Sequence, residues 1–353
     1  MNSSELHSEQ AKYALVFATN SAFATGLLTT LASVFCSSNL KHFNIYIGHD
    51  QSDPIDSIWE SVINLCQRFN YPIDRCQRIA FNTTIFQGLR TRTGNFEAYF
   101  RYQFTQILSE NRILYLDSDT LVLNDLAELA STHMQGNAIA AVQDLFLQTH
   151  RKDPYRLANS HKDERAAYFN SGVLLMDTKR CKELNILERF KELHPQLQNL
   201  EYSDQTYANV IFNKQWTQLA AHWNALLSPK RTHPIANKSA TVGILHYVTK
   251  QKPWLCATLD APNILWHSIA HHVGISVSIE LERQIREQIE RHIHSNHTRL
   301  RLKLLTYQLR PSRNRKAMPL AQKLKLREDF DYISKWLKEH QLTPPPEMFH
   351  RLS

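Results

Sequence analysis

Four groups of polar residues stand directly beside apolar runs, where folding can bring them to one place. Asp117-Ser118-Asp119 closes the run RILYL at Arg112–Leu116. Two carboxylates one residue apart at a strand end offer only oxygen, which suits a hard divalent cation. A strand-ending turn uses the same residue types. Tyr168-Phe169-Asn170-Ser171-Gly172 precedes VLLMD. Its small residues permit close ligand approach and its Asn amide both donates and accepts, although a simple turn reads equally well. Ser203-Asp204-Gln205 opens a helical stretch, where capping and a first-turn acid already explain two of the three. His246-Tyr247 closes the run GIL, and Lys252-Pro253-Trp254 follows. The imidazole could complete a metal site and the lysine could pair with phosphate. A lone histidine there is more often a hydrogen-bonded structural one.

The elements that must position these groups follow a β-α-β-α-β rhythm. Strands are predicted at Tyr13–Thr19, Phe43–Gly48, near Arg75–Ala80 and at Arg112–Leu116, with helices over Ala22–Ser37, Pro54–Phe69 and Ala98–Leu108. Further strands are expected at Ala138–Val142, Tyr168–Asp177 and Thr241–Val248. Helices are expected at Asn185–Leu193, stopped by Pro195, at Ser203–Phe212 and at Ile279–His292, with a short one near Asp329–Glu339. This predicts an α/β fold with a mostly parallel central sheet, whose ligands gather at the carboxyl ends of strands near a switch in strand order. The expected organisation is a tail over 1–12, a catalytic domain over 13–260 and a basic, mainly helical extension over 261–353.

Charge is unevenly shared. Between Glu290 and Glu328 there is no acidic residue but eleven Lys and Arg, which exceeds the whole net charge of +8 and leaves the body acidic on balance. Such asymmetry points to an anionic partner for the tail. Leu300, Leu302, Leu304, Leu305 and Tyr307 alternate with Arg299, Arg301 and Lys303, a pattern suited to docking on an anionic membrane surface; a solvated tail is the plainer reading. No nucleic-acid-binding module surrounds these charges, so nucleic acid is not an expected partner. The five cysteines are odd in number and contain no CxxC pair, which argues against a disulfide framework or a thiolate zinc site. The polar start lacks a signal-peptide core and no run of eighteen apolar residues exists, so the expected location is the cytoplasm, with peripheral contact to the inner face of its membrane.

Taken together and in this order, YFR, LYLDSD, YFNSG, SDQ, LHY and KPW resemble glycosyltransferase family 8, particularly its bacterial lipopolysaccharide galactosyl- and glucosyltransferases. The resemblance runs from about Tyr13 to Trp254. It implies a nucleotide-diphospho-sugar transferase (GT-A-like) fold and retaining transfer of galactose or glucose from a UDP-sugar to a saccharide acceptor, lipopolysaccharide core being the expected one. It also implies Mn2+, or Mg2+, on Asp117, Asp119 and His246. Ala18 and Asn20 would contact the uridine, and Arg101 the sugar or diphosphate. Ser118 belongs to the same donor-binding motif, and Lys252 would pair with the leaving group. Asn170, Asp204 and Gln205 would line the sugar, with Gln205 and Asp204 the catalytic candidates, and Asp144 would face the acceptor. Asn20 stands where many members carry Asp, Thr249 where Gly is usual in HYxG, and Leu255 where His is frequent. Two alternatives stay open: a catalytically silent nucleotide-sugar-binding protein, and a haloacid-dehalogenase-like phosphatase. Against the phosphatase, Thr120 is one position early for its signature and the Asp pair follows a late strand rather than the first.

Overall fold

A computed structural model describes residues 12–53, 55–91, 94–145, 168–197, 203–213, 215–227, 242–258, 260–293 and 338–339. Strand β1 (Tyr13–Ala18) reads YALVFA, apolar throughout and buried on both faces, as a central parallel strand must be. Helix α1 (Ala24–Ser37) returns the chain to β2 (Phe43–Asp50), and α2 (Asp56–Arg68) returns it to β3 (Cys76–Phe81). Asp56 in the first turn of α2 and Arg68 in its last both oppose the helix dipole. Helix α3 (Glu97–Ile107) then carries the chain back across the sheet to β4 (Arg112–Asp117), which pairs with the free side of β1.

Three strands later in sequence complete the seven-stranded sheet: β6 (Ile139–Gln143), β7 (Phe169–Asp177) and β8 (Trp216–Gln218), in the order β3-β2-β1-β4-β7-β6-β8. Only β7 runs antiparallel to its neighbours, so the sheet is mostly parallel, in agreement with the α/β GT-A-like expectation. Alternate residues of β1 feed two cores, Leu15 and Phe17 on one face, Ala14 and Val16 on the other. The order reverses between β1 and β4, where Ala18 pairs with Asp117, so the switch point lies at the Asp-Ser-Asp turn.

A second, three-stranded sheet was not anticipated. It has the order β5-β10-β9, from Thr120–Val122, Ile244–His246 and Ala225–Leu226. Each of these strands is too short to show a period, which hides it in the sequence. The strand expected over Thr241–Val248 is therefore only Ile244–His246, matched to its three-residue partner. The helix expected to stop before Pro195 instead runs over Ile186–Leu197. Proline disturbs the turn behind it, but so near the end little helix remains beyond it. Helix Ala261–His272 packs its Leu265, Trp266 and Ile269 into the same core as α1. Helix Ile279–Ile293 follows as expected, whereas the basic stretch after it lies outside the described residues. Among the described residues no helix is long and apolar enough to cross a membrane.

Candidate active site and metal centre

The turn joining β4 to β5 is clamped from behind by α1. Thr30 donates its hydroxyl to the carbonyls of Thr120 and Ser118 at 2.7 and 3.2 Å, and the Val122 N–H donates to Ser33 Oγ at 2.9 Å. This close approach requires Gly26, since a Cβ there would stand 2.6 Å from the Ser118 carbonyl oxygen and 2.6 Å from the Trp254 ring. On the other side β10 pairs antiparallel with β5, setting His246 opposite Thr120, and the Tyr247 N–H donates to the Asp119 carbonyl at 2.9 Å.

The result is a compact oxygen-oxygen-nitrogen set. His246 Nε2 lies 3.1 Å from Asp119 Oδ1 and 3.5 Å from Asp117 Oδ2, and one ligand atom from each of the three residues falls within 4.8 Å of the others. Tyr115 donates its hydroxyl to Asp117 Oδ1 at 2.6 Å and Arg101 Nη2 lies 3.2 Å from that oxygen, leaving Oδ2 for the centre. Among the described residues, buried Asp119 Oδ1 has no hydrogen-bond donor unless His246 Nε2, 3.1 Å away, carries a proton, and an undonated carboxylate oxygen is a costly state. Gly172 walls the centre: a Cβ there would fall 2.2 Å from His246 Cε1 and 2.6 Å from Asp117 Oδ2. An undonated oxygen, an imidazole nitrogen and a wall with no room for a methyl group fit a divalent cation that accepts both oxygen and imidazole ligands.

Lys252 lies beside this set, its Nζ 2.5 Å from Asp119 Oδ2 and 2.5 Å from the Tyr247 carbonyl. Burial works to raise the Asp119 carboxyl, but Lys252 and His246 together outweigh it and hold the group well below the usual carboxylate range. Arg101 is almost wholly buried and is used by protein partners. It donates from Nε to the Ala98 carbonyl at 2.7 Å and from Nη1 to the Ser171 carbonyl, lies 3.8 Å from Asp204 Oδ2, and stacks over Tyr115 at 4.4 Å.

Helix Ser203–Ile211 presents Asp204 and Gln205 to the bend in β7. The register of β7 against β6 shifts between Ala141 and Val142, so Ser171 and Gly172 bulge out of the ladder toward the centre. Gln205 Oε1 accepts from the Ser171 N–H at 3.1 Å and its hydroxyl at 3.3 Å. Asn170 donates to Asp144 Oδ2 at 3.2 Å, which brings the expected acceptor-side residue beside the donor-side one.

Two expected donor-binding side chains hold protein partners in this structure. Ser118 donates its hydroxyl to the Ala18 carbonyl at 2.8 Å. Asn20 accepts from the Phe23 N–H at 3.2 Å and donates to Glu97 at 3.1 Å, while burial pushes the Glu97 carboxyl up. Ala18 contributes its position at the switch point and that carbonyl. Leu255 projects outward, 65% exposed. Two residues of the site escaped the sequence reading. Tyr115 stands two positions before Asp117 and so shares its face, a signal that alternation supplied. Asn224 receives His246 Nδ1 at 2.9 Å, and nothing in HWNALL distinguishes it.

The family model described as Glycosyl transferase family 8 matches residues 14–258, well over half of the chain and the whole of this site. The chain belongs to glycosyltransferase family 8. Among its relatives in the family, the glycosyltransferase GlyF of Streptococcus pneumoniae is 26% identical over 259 residues, covering 71% of this chain and 60% of GlyF. GlyA of the same organism is 23% identical, covering 72% of this chain and 34% of GlyA. This family 8 chain thus spans less than two thirds of the length of either relative. Its fold is similar to that of the galactosyltransferase LgtC in complex with donor and acceptor sugar analogues, with a TM-score of 0.62 at 21% identity, covering 77% of this chain and 99% of LgtC.

Proposed function

We propose that this family 8 glycosyltransferase moves a hexose, galactose or glucose, from a UDP-sugar to a saccharide acceptor with retention, using Mn2+ or Mg2+ at Asp117, Asp119 and His246. The observation that carries the reading is the convergence of those three residues from two sheets onto one centre at the switch point. LgtC, with donor and acceptor sugar analogues bound on the same fold, supports a nucleotide-sugar donor and a saccharide acceptor. A divalent ion held there supplies Lewis-acid stabilisation to the departing diphosphate.

The chain's own residues set up the rest. Arg101 and Tyr115 orient Asp117, and Lys252 stands ready to pair with the leaving group's negative charge. A covalent sugar intermediate would need a nucleophile at the anomeric carbon. Gln205 is an amide whose oxygen is already engaged by Ser171, which favours same-face attack instead. The acceptor hydroxyl then bonds to the anomeric carbon, the bond to the diphosphate oxygen breaks, and that oxygen takes the hydroxyl proton. Gln205 and Asp204 stabilise the positive charge developing on the ring, Asn170 lines the sugar, and Asp144 faces the acceptor. Ala18 and Asn20 border the uridine. The basic stretch after Glu290 supports an acceptor carried on an anionic glycolipid of the lipopolysaccharide-core kind, at roughly 1 kcal/mol per basic residue near a charged membrane.

The test is Mn2+-dependent release of UDP from UDP-galactose and UDP-glucose, run beside hydrolysis of p-nitrophenyl phosphate. UDP release that chelation abolishes is the expected result. Phosphate-ester hydrolysis without UDP release would replace this reading with a phosphatase, and UDP-sugar binding without turnover would replace it with a binding protein.

A further inference from the structure

We propose that Asn224 is a positioning residue that locks His246 in one tautomer and ties it through Asn170 to Asp144. The inference deepens the metal reading above and rests on it only for the affinity measurement. A peptide N–H can only donate, so the Gly172 N–H sets the polarity of whatever it bonds. The Gly172 N–H donates to Asn170 Oδ1 at 2.9 Å, which fixes that atom of Asn170 as oxygen. The atom of Asn224 facing the same oxygen, also at 2.9 Å, must therefore be its amino group. The other end of the Asn224 amide is then oxygen, and it lies 2.9 Å from His246 Nδ1. An oxygen there accepts, so Nδ1 carries the proton and Nε2 presents its lone pair to the two aspartates. The remaining amino group of Asn170 donates to Asp144 at 3.2 Å and closes the chain.

This order explains the otherwise undonated Asp119 oxygen. With the only ring proton on Nδ1, two lone-pair atoms face each other across 3.1 Å, an arrangement that a metal cation or a second ring proton between them resolves. Asn224 is 2% exposed, so water does not replace it as the acceptor. Asp144 and Asn170 stand on the expected acceptor and sugar sides, so the same three side chains link the imidazole to the place where the acceptor is expected to sit.

Asn224→Leu and Asn224→Asp separate positioning from packing. Aspartate still accepts from Nδ1 but offers nothing to Asn170, whereas leucine does neither. In metal-free protein the 15N shifts of the His246 ring should report Nδ1–H in the wild type and in N224D, and a mixed or reversed tautomer in N224L. By calorimetry, N224L should bind Mn2+ about 10–100-fold more weakly, the usual cost of losing an outer-shell partner, with N224D close to wild type. An unchanged tautomer and unchanged Mn2+ affinity in folded N224L overturns the proposal. So does a reversed tautomer in N224D, which carries the test alone should N224L not fold. A wild type that binds no Mn2+ defeats the metal reading, while the ring shifts still decide the role of Asn224.

Discussion

His246 faces Thr120 across the antiparallel pair of β5 and β10, and this register sets its imidazole 3.1 Å from Asp119. A slip of one residue would turn the ring to the opposite face of the small sheet. The centre therefore depends on strand pairing between distant parts of the chain as much as on the Asp-Ser-Asp turn.

Asp119→Asn should weaken Mn2+ binding at least ~100-fold, beyond the upper end of an outer-shell loss, and UDP release should fall with it. It also leaves the Lys252 ammonium, 11% exposed, without its carboxylate, so the thermal midpoint should drop as well. Mn2+ calorimetry at wild-type strength for D119N would remove Asp119 from the ligand set.

Lys252→Met should change two affinities in opposite directions. Lys252 Nζ now donates to Asp119 Oδ2, beside the oxygen that faces the centre, and its charge repels a cation there, so removing it should tighten binding of Mn2+ alone. The same loss should weaken UDP in the presence of Mn2+, because a positive partner for the diphosphate disappears. Calorimetry of Mn2+ with and without UDP reads both; equal shifts of the same sign would contradict this account of the lysine.

Gly172→Ala tests the wall. The added methyl would sit 2.2 Å from His246 Cε1, so the imidazole must move. Overpacking of this kind costs roughly 1–3 kcal/mol, and Mn2+ affinity should fall more than the melting temperature suggests. An alanine variant with normal metal binding would mean the ring has slack.

His267 gives a pH signature from behind the Lys252-Pro253-Trp254 segment. Burial pulls its imidazole down from 6.5 to about 4, partly countered by a backbone hydrogen bond to Pro253. The folded state therefore holds it neutral while the unfolded chain takes up a proton below pH 6.5. Its contribution is complete above that pH and is lost as pH falls toward 4, a swing of about 3 kcal/mol. His267→Gln should flatten the acid limb of a thermal-stability profile between those values; an unaltered limb would assign the acid sensitivity to other groups.

The large sheet was legible because its strands are apolar runs separated by amphipathic helices. β1 and β4 appear within a residue of their predicted ends, and the Ala18–Asp117 pairing sets the Asp pair at the switch in strand order near which ligands were expected to gather. The second sheet was not legible. Strands of two or three residues carry no period, and their pairing joins segments whose relation depends on tertiary contacts. For the same reason Asn224 left no trace: a buried asparagine is informative only once its neighbours are known. Arg101 was singled out, but its ties to Ala98, Ser171 and Asp117 come from the depth at which α3 packs, which spacing does not encode.

The corner between β4 and β5 belongs to both sheets, and its consequence concerns biogenesis. A nascent chain that has emerged only through Val122 carries both carboxylates but not the imidazole of the site, since His246 arrives with the last strand of the small sheet. Tight cation capture thus reports completed assembly: a lanthanide or Mn2+ signal during refolding should appear only after the late, long-range pairing closes, well behind the backbone signal of the first parallel strands.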